Sequence, residues 1–156
     1  MNNTIISNKV LDWYDNNKRE LPWRKPKSKK QNQYFTLVSE FMLQQTQVKT
    51  VIPYFEKFTK NFPNLKTLAK SSEKKILKNW EGLGYYSRAK NLKKTAIKLL
   101  RDFNGELPVD INKLKSLPGI GDYTSRSILA IAHNKPYIPM DGNVERILKR
   151  VFLLKN

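Results

Sequence analysis

The chain has 156 residues, 39% of them apolar and 11% aromatic, and it carries a formal net charge of +17 at pH 7. These values favour a folded domain over a disordered chain. No run approaches the roughly 18 consecutive apolar residues of a membrane span, and the N-terminus lacks signal-peptide features, so a cytoplasmic protein is expected. The charge predicts a polyanionic partner, with nucleic acid ahead of an acidic membrane surface.

The hydrophobic pattern is helical throughout and short alternating strands are missing, so an all-α fold is predicted. The first helix carries an apolar stripe formed by Val10, Leu11, Trp13 and Tyr14. A basic loop is expected from Lys18 to Lys30, either as a solvated surface or as a contact surface. The second helix is predicted over Tyr34 to about Thr46, and the third has Pro53 near its start.

The middle of the chain is predicted to hold two short helices, the second beginning at Ser72 and ending near Trp80. A glycine-containing turn at residues 81–86 and a long helix from about Ser87 to Phe103 are predicted to follow. Asp110 begins a further short helix. A hairpin of sequence Leu-Pro-Gly-Ile-Gly then covers residues 117–121. The helix after this hairpin is predicted to direct four side chains inward: Thr124, Ile128, Leu129 and Ile131.

The hairpin is a candidate phosphate site. Glycine allows close backbone approach and positive φ, and the amides that begin the next helix carry partial positive charge. A DNA phosphate could therefore bind at Gly119-Ile120-Gly121 without help from a side chain. An ordinary turn between helices explains the pentapeptide equally well, and the net charge of +17 favours the phosphate.

Two carboxyl groups are candidate catalytic groups. Glu40 lies on a helix that is apolar on one side, where a carboxyl keeps its proton near neutral pH and suits a general acid; a solvent-facing glutamate is the alternative. Asp141 is interpreted as the N-cap of the last helix, where backbone amides suit an ionised group that stabilises a cation. Gln45 and Tyr85 are placed to insert into a base stack, with core packing as the alternative for Tyr85.

Five motifs resemble the MutY family of adenine DNA glycosylases, within the helix-hairpin-helix superfamily. They occur in order along nearly the whole chain: Leu21 to Arg24, Ser39 to Val48, Gly82 to Arg88, Leu117 to Gly121 with Thr124, and Asp141 to Val144 with Arg146. The resemblance implies a six-helix barrel lobe over about residues 30–135. Residues 1–20 and 140–156 would then form part of an incomplete second lobe.

The resemblance also implies a substrate and residue roles. The substrate is adenine mispaired with 8-oxoguanine or guanine in double-stranded DNA, acted on by a monomer associated with the nucleoid. Glu40 would protonate the departing adenine and later assist the attacking water, and Asp141 would stabilise the oxocarbenium-like sugar. Tyr123 and Asn143 would support them. The implied DNA contacts are Gln45, Thr46, Tyr85, Gly119, Ile120, Gly121 and Arg24.

Three features qualify this resemblance. The endonuclease III branch has a Schiff-base lysine where this chain has Tyr123, which predicts a glycosylase without efficient lyase activity. The sequence contains no cysteine, and its only histidine, His133, is interpreted as a helix-end cap. The family's iron–sulfur (4Fe–4S) cluster is therefore expected only if a longer chain supplies the ligands. The family's C-terminal 8-oxoguanine-reading domain is expected to be missing from these 156 residues. An endonuclease III-like lyase and a non-catalytic DNA-binding remnant remain the alternatives.

Overall fold

The computed structural model describes residues 3–153, which contain helices and no strand. The α-helices are α1 (Asn3–Asn17), α2 (Lys29–Leu43), α3 (Val48–Asn61), α4 (Leu65–Lys70), α5 (Glu73–Trp80), α6 (Ser87–Asp102), α7 (Ile111–Lys115), α8 (Asp122–His133) and α9 (Gly142–Phe152). A 3₁₀ helix covers Pro22–Arg24. The all-α prediction is confirmed. In the described part of the chain, no helix is long and apolar enough to cross a membrane.

Helix α2 occupies the centre of the fold and packs against α3, α6 and α8. Its core face is formed by residues spaced at one helical turn: Leu37, Val38, Phe41 and Met42, none more than 1% exposed. Edge-to-face aromatic pairs extend this core, with ring centroids 5.3 Å apart for Trp23 and Phe55 and 5.8 Å apart for Phe58 and Trp80. Such pairs add about 0.5–1.5 kcal/mol each beyond the area they bury.

Side-chain caps define where several helices begin. Ser72 accepts a hydrogen bond from the Lys75 amide at the start of α5, and Asp110 accepts one from the Lys113 amide at the start of α7. Capping by serine and aspartate satisfies amides that have no partner inside the helix. The predicted starts of these two helices are confirmed.

The predicted bounds of the second helix were wrong. The Ser28 side chain accepts from the Gln31 amide, so α2 begins at Lys29 and takes the end of the predicted basic loop into the helix. The helix ends at Leu43 because Gln44 has ψ 112° and Gln45 has φ 56°, which no α-helix accommodates. Pro53 is the sixth residue of α3 and lies inside the helix, not near its start.

Several apolar residues are more exposed than the sequence pattern implies. Val10 and Leu11 of α1 are each 58% exposed and Trp13 is 64% exposed, so the α1 stripe is not part of the core. Ile131, predicted to point inward, is 52% exposed. It shares a cleft-lining face of α8 with Tyr123 and Ser127, because residues four apart lie on one side of a helix.

The division into two lobes stays a prediction. Helix α9 has no buried residue, and its Ile147 is 56% exposed. The apolar faces of α1 and α9 are thus open within the described residues. Residues 1–2 and 154–156, at the outer ends of the predicted second lobe, lie outside the described residues.

Candidate functional site

A cleft of about 580 Å³ brings the two candidate carboxyl groups together. Glu40 reaches it from α2, Tyr123 from α8, and Asp141 from the turn before α9. Gln45 and Tyr85 line the same cleft. A second, wider cleft of about 940 Å³ also contains Glu40 and Tyr123. Both volumes fall within the range of small-molecule sites, roughly 300–1,000 Å³.

Glu40 occupies the cleft wall near the end of α2. Burial raises the pKa of its carboxyl from 4.5 to about 7, and a hydrogen bond with the Ser127 side chain opposes that rise. The solvent-facing alternative therefore does not hold. A carboxyl that titrates near neutral pH can donate a proton and afterwards accept one, which is what general acid–base catalysis requires.

Tyr123 lines the same cleft as the two candidate carboxyl groups. It is the second residue of α8 and is 45% exposed. Burial raises the pKa of its hydroxyl first, and the negative charges of Glu40 and Asp141 raise it further. Tyr123 is therefore within electrostatic range of both carboxyl groups.

Asp141 caps α9, as predicted. Its Oδ1 accepts hydrogen bonds from the Asn143 amide at 2.9 Å and from the Val144 amide at 2.8 Å. The second carboxylate oxygen has no such bond, and the side chain is exposed at the edge of the cleft. The Asn143 side chain instead accepts from Arg146 Nη2 at 2.9 Å, so it is engaged on α9 itself.

The hairpin depends on glycine for packing as well as for its turn. Gly119 has φ +79°, and a Cβ there would lie 2.8 Å from Phe41 Cε1 and 2.9 Å from Asn91 Cβ. Gly121 is the N-cap of α8 and supplies no side-chain cap, so the first amides of that helix are left for a ligand or solvent. Ile120 is buried, and its amide already donates to the Leu117 carbonyl at 3.2 Å.

Gln45 and Tyr85 occupy strained positions on the rim. Their φ values are 56° and 47°, in the left-handed region that non-glycine residues rarely adopt. Tyr85 is 60% exposed, so the core-packing alternative for it was wrong. Thr46, by contrast, accepts a hydrogen bond from Arg88 Nη1 at 3.1 Å and is part of an internal network.

Arg24 lines the wider cleft with Glu40. It is exposed, donates to the Tyr14 hydroxyl at 3.3 Å, and lies over the Tyr14 ring. Arg24 and Tyr14 thus line the same cleft as Glu40.

Two contributors to the site were missed in the sequence. Gln44 Nε2 donates to the Gly119 carbonyl at 3.2 Å and to Thr124 Oγ1 at 3.4 Å, which ties the end of α2 to the hairpin. Ser127 hydrogen-bonds Glu40. Its spacing of four residues from Tyr123 was a signal that could have found it.

The residues present do not fit a thiolate-held cluster. The sequence contains no cysteine, and residues 3–153 hold no group of three His, Cys, Asp or Glu side chains suited to a metal ion. His133 is the last residue of α8, and burial lowers its pKa. The C-cap is Asn134 in the left-handed conformation, so the capping role predicted for His133 was wrong.

Solved structures identify the fold. The chain matches a thermostable thymine-DNA glycosylase with a TM-score of 0.82 and 24% identity, over 94% of this chain and 66% of that one. It also matches endonuclease III in a non-covalent complex with DNA, with a TM-score of 0.76 and 19% identity, over 99% and 71% of the two chains. The architecture is the helix-hairpin-helix DNA glycosylase fold.

Sequence comparison gives the family. The profile of the HhH-GPD superfamily of base excision DNA repair proteins matches residues 38–156, and the chain belongs to this superfamily. The adenine DNA glycosylase of Buchnera aphidicola subsp. Baizongia pistaciae (strain Bp) is 45% identical over 153 residues. That match covers 97% of this chain and 42% of the relative, so the chain spans less than half of that protein's length.

Proposed function

We propose that this chain removes adenine mispaired with 8-oxoguanine or guanine from double-stranded DNA, by acid-assisted hydrolysis of the N-glycosidic bond. One observation carries the proposal: Glu40 and Asp141, in different environments, line one cleft together with Tyr123. The similarity to a relative named adenine DNA glycosylase supports adenine as the base. The mispair, a monomeric state and association with the nucleoid are parts of the same proposal.

DNA binding precedes the chemistry. The net charge of +17 attracts the duplex, and the uncapped start of α8 offers backbone amides to a phosphate. The target adenine must leave the base stack to reach the cleft, which costs a few kcal/mol. Gln45 and Tyr85, exposed on the rim, would fill or hold open the space that the adenine leaves.

Glu40 would supply the proton for the leaving group. With a pKa of about 7 the carboxyl is largely protonated in slightly acidic solution and half protonated near neutrality. Transfer of this proton to the adenine lets the base depart with the electron pair of the glycosidic bond. General acid help of this kind is worth roughly 10²–10⁴-fold in rate.

Asp141 would stabilise the sugar as the bond breaks. Loss of the base leaves positive charge on the deoxyribose, and a carboxylate held at a helix start is placed to interact with it. Glu40, now ionised, would accept a proton from the water that adds to the sugar. Two carboxyl groups with separate environments thereby perform separate steps.

One assay distinguishes this function from its alternatives. The full chain is incubated with a duplex bearing adenine opposite 8-oxoguanine, and with a matched duplex bearing adenine opposite thymine. Strand breaks that form only after alkali, and only in the mispaired duplex, support the proposal. Breaks without alkali would indicate a lyase, and binding without breaks would indicate a DNA-binding remnant. Because Tyr123 replaces the Schiff-base lysine, we expect no borohydride-trapped complex.

A further inference from the structure

Arg88, the second residue of α6, is a buried cation held by oxygens at the end of α2 and in two loops, one between α2 and α3 and one between α5 and α6. It is 6% exposed, and its guanidinium donates to main-chain carbonyls and one hydroxyl. On the α2 side, Nη1 donates to the carbonyls of Phe41 at 3.3 Å, Met42 at 2.8 Å and Gln44, and to Thr46 Oγ1 at 3.1 Å. On the other side, Nη2 donates to the carbonyls of Leu83 at 3.2 Å and Gly84 at 3.1 Å.

Each loop that Arg88 holds carries one of the strained residues. Gln45 lies between two Arg88 partners, Gln44 and Thr46, and Tyr85 follows Gly84. The guanidinium also lies over the Tyr85 ring, 5.3 Å from its centroid. Both residues have positive φ and are exposed on the cleft that contains Glu40. A non-glycine residue keeps such a conformation only when its surroundings fix it.

We infer that Arg88 is a positioning residue that sets Gln45 and Tyr85 on the rim of the cleft together, at a fixed separation from Glu40. The last carbonyls of α2 have no partner inside the helix, and a cation at that end is favourable. The planar fork of arginine reaches both loops at once, whereas the single ammonium of lysine cannot match that geometry. That Gln45 and Tyr85 act on DNA rests on the proposed function. The link that Arg88 makes between the two loops does not depend on that function.

The link is tested in the free protein. Hydrogen exchange is measured for the full chain, for Arg88→Lys and for the matched control Arg101→Lys, which changes an exposed arginine of the same helix paired with Asp102. The reporters are the amides of Thr46 and Leu83, which donate to the carbonyls of Leu43 and Trp80 at the start of each loop. We expect Arg88→Lys to speed exchange of both amides at least about tenfold, with the core amides of α6 unchanged, and Arg101→Lys to change neither. Unchanged exchange at both loops, or a uniform increase throughout the protein, would overturn the inference.

The consequence for catalysis is tested with DNA. In Arg88→Lys we expect the single-turnover excision rate to fall about 10- to 100-fold, because displaced positioning groups cost rate, with affinity for undamaged duplex changed less than about threefold. The fluorescence rise of 2-aminopurine beside the mispair, which reports an opened stack, is expected to be lost as well. Wild-type excision and fluorescence in a folded Arg88→Lys protein would contradict the inference. If the wild-type chain excises nothing, the proposed function fails, and the exchange measurement still decides the role of Arg88.

Discussion

Glu40 and Asp141 line the same cleft, and the Tyr123 hydroxyl is within electrostatic range of both. Their environments differ. Glu40 is buried enough for its pKa to rise to about 7. Asp141 is exposed and accepts hydrogen bonds from two backbone amides. This difference is the basis on which we propose proton transfer by Glu40 and charge stabilisation by Asp141.

Replacing Glu40 by glutamine should abolish most excision. Glutamine keeps the size of the side chain but cannot transfer a proton to the adenine. We therefore expect the single-turnover rate to fall about 10²–10⁴-fold. Duplex binding should persist, since Glu40 makes no contribution to the positive field. The matched control is Glu56→Gln, which changes an exposed glutamate of α3. A fully active Glu40→Gln protein would remove Glu40 from the mechanism.

The pH dependence of stability should report the same carboxyl. The folded-state pKa of Glu40 lies above its ordinary value of 4.5, so its contribution to stability is full below that value and is lost as pH rises through about 7. Between about pH 5.5 and 8.5 the loss should be roughly 2 kcal/mol. Urea unfolding of the wild type and Glu40→Gln at the two pH values measures it. If the free energies of unfolding of the wild type and Glu40→Gln differed by the same amount at both pH values, the raised pKa of Glu40 would be contradicted.

Excision itself should decline above about pH 7, because the ionised Glu40 has no proton for the leaving group. The rate is measured under single-turnover conditions across the pH range, so that DNA binding does not limit it. Glu56→Gln should reproduce the wild-type profile. A rate that stays constant well into alkaline solution would argue against Glu40 as the acid.

Two substitutions at Asp141 separate its capping from its charge. Asparagine caps helices about as well as aspartate, so Asp141→Asn should leave stability nearly unchanged and still lower excision strongly. Asp141→Ala also loses the hydrogen bonds to the Asn143 and Val144 amides and should lose about 1 kcal/mol of stability. The measurements are urea unfolding and single-turnover excision. Full activity in Asp141→Asn would show that the negative charge is dispensable.

The two hairpin glycines should differ sharply in tolerance. An added methyl at Gly119 meets Phe41 and Asn91 below 3.0 Å and also strains a positive φ, so Gly119→Ala should destabilise by roughly 1–3 kcal/mol. At Gly121 a Cβ meets nothing within 4 Å, and φ is −91°, so Gly121→Ala should be close to neutral in stability. Urea unfolding compares them. Equal stabilities of the two variants would mean that Gly119 does not pack closely against Phe41 and Asn91.

Duplex affinity should fall steeply with salt. Each phosphate neutralised by the protein releases counterions, so the affinity should drop at least about 100-fold between about 50 and 200 mM salt. The measurement is fluorescence anisotropy of an undamaged duplex, at constant pH. An affinity that does not change with salt would indicate that the basic side chains behind the net charge of +17 do not contact the DNA backbone.

Short-range rules carried most of the fold prediction. Ser72, Asp110 and Asp141 each cap a helix through an amide two or three residues away, so the sequence alone located those starts. The start of α2 was missed because its cap, Ser28, lies within a basic run. The two carboxyl groups were identified as candidates, but only the tertiary structure places them in one cleft. The bonds from Arg88 to Phe41 and Thr46 join residues 47 and 42 positions apart, and no local pattern reports bonds of that span.

The oxygens that hold Arg88 are carbonyls and a hydroxyl, none of which gains or loses a proton near neutrality. The arginine likewise keeps its charge throughout that range. If the proposed function holds, a change of pH would alter the reaction rate through Glu40, while the two loops held by Arg88 would keep their conformation. Under the proposed function, the affinity for the duplex would depend on ionic strength, and the rate of excision would depend on pH.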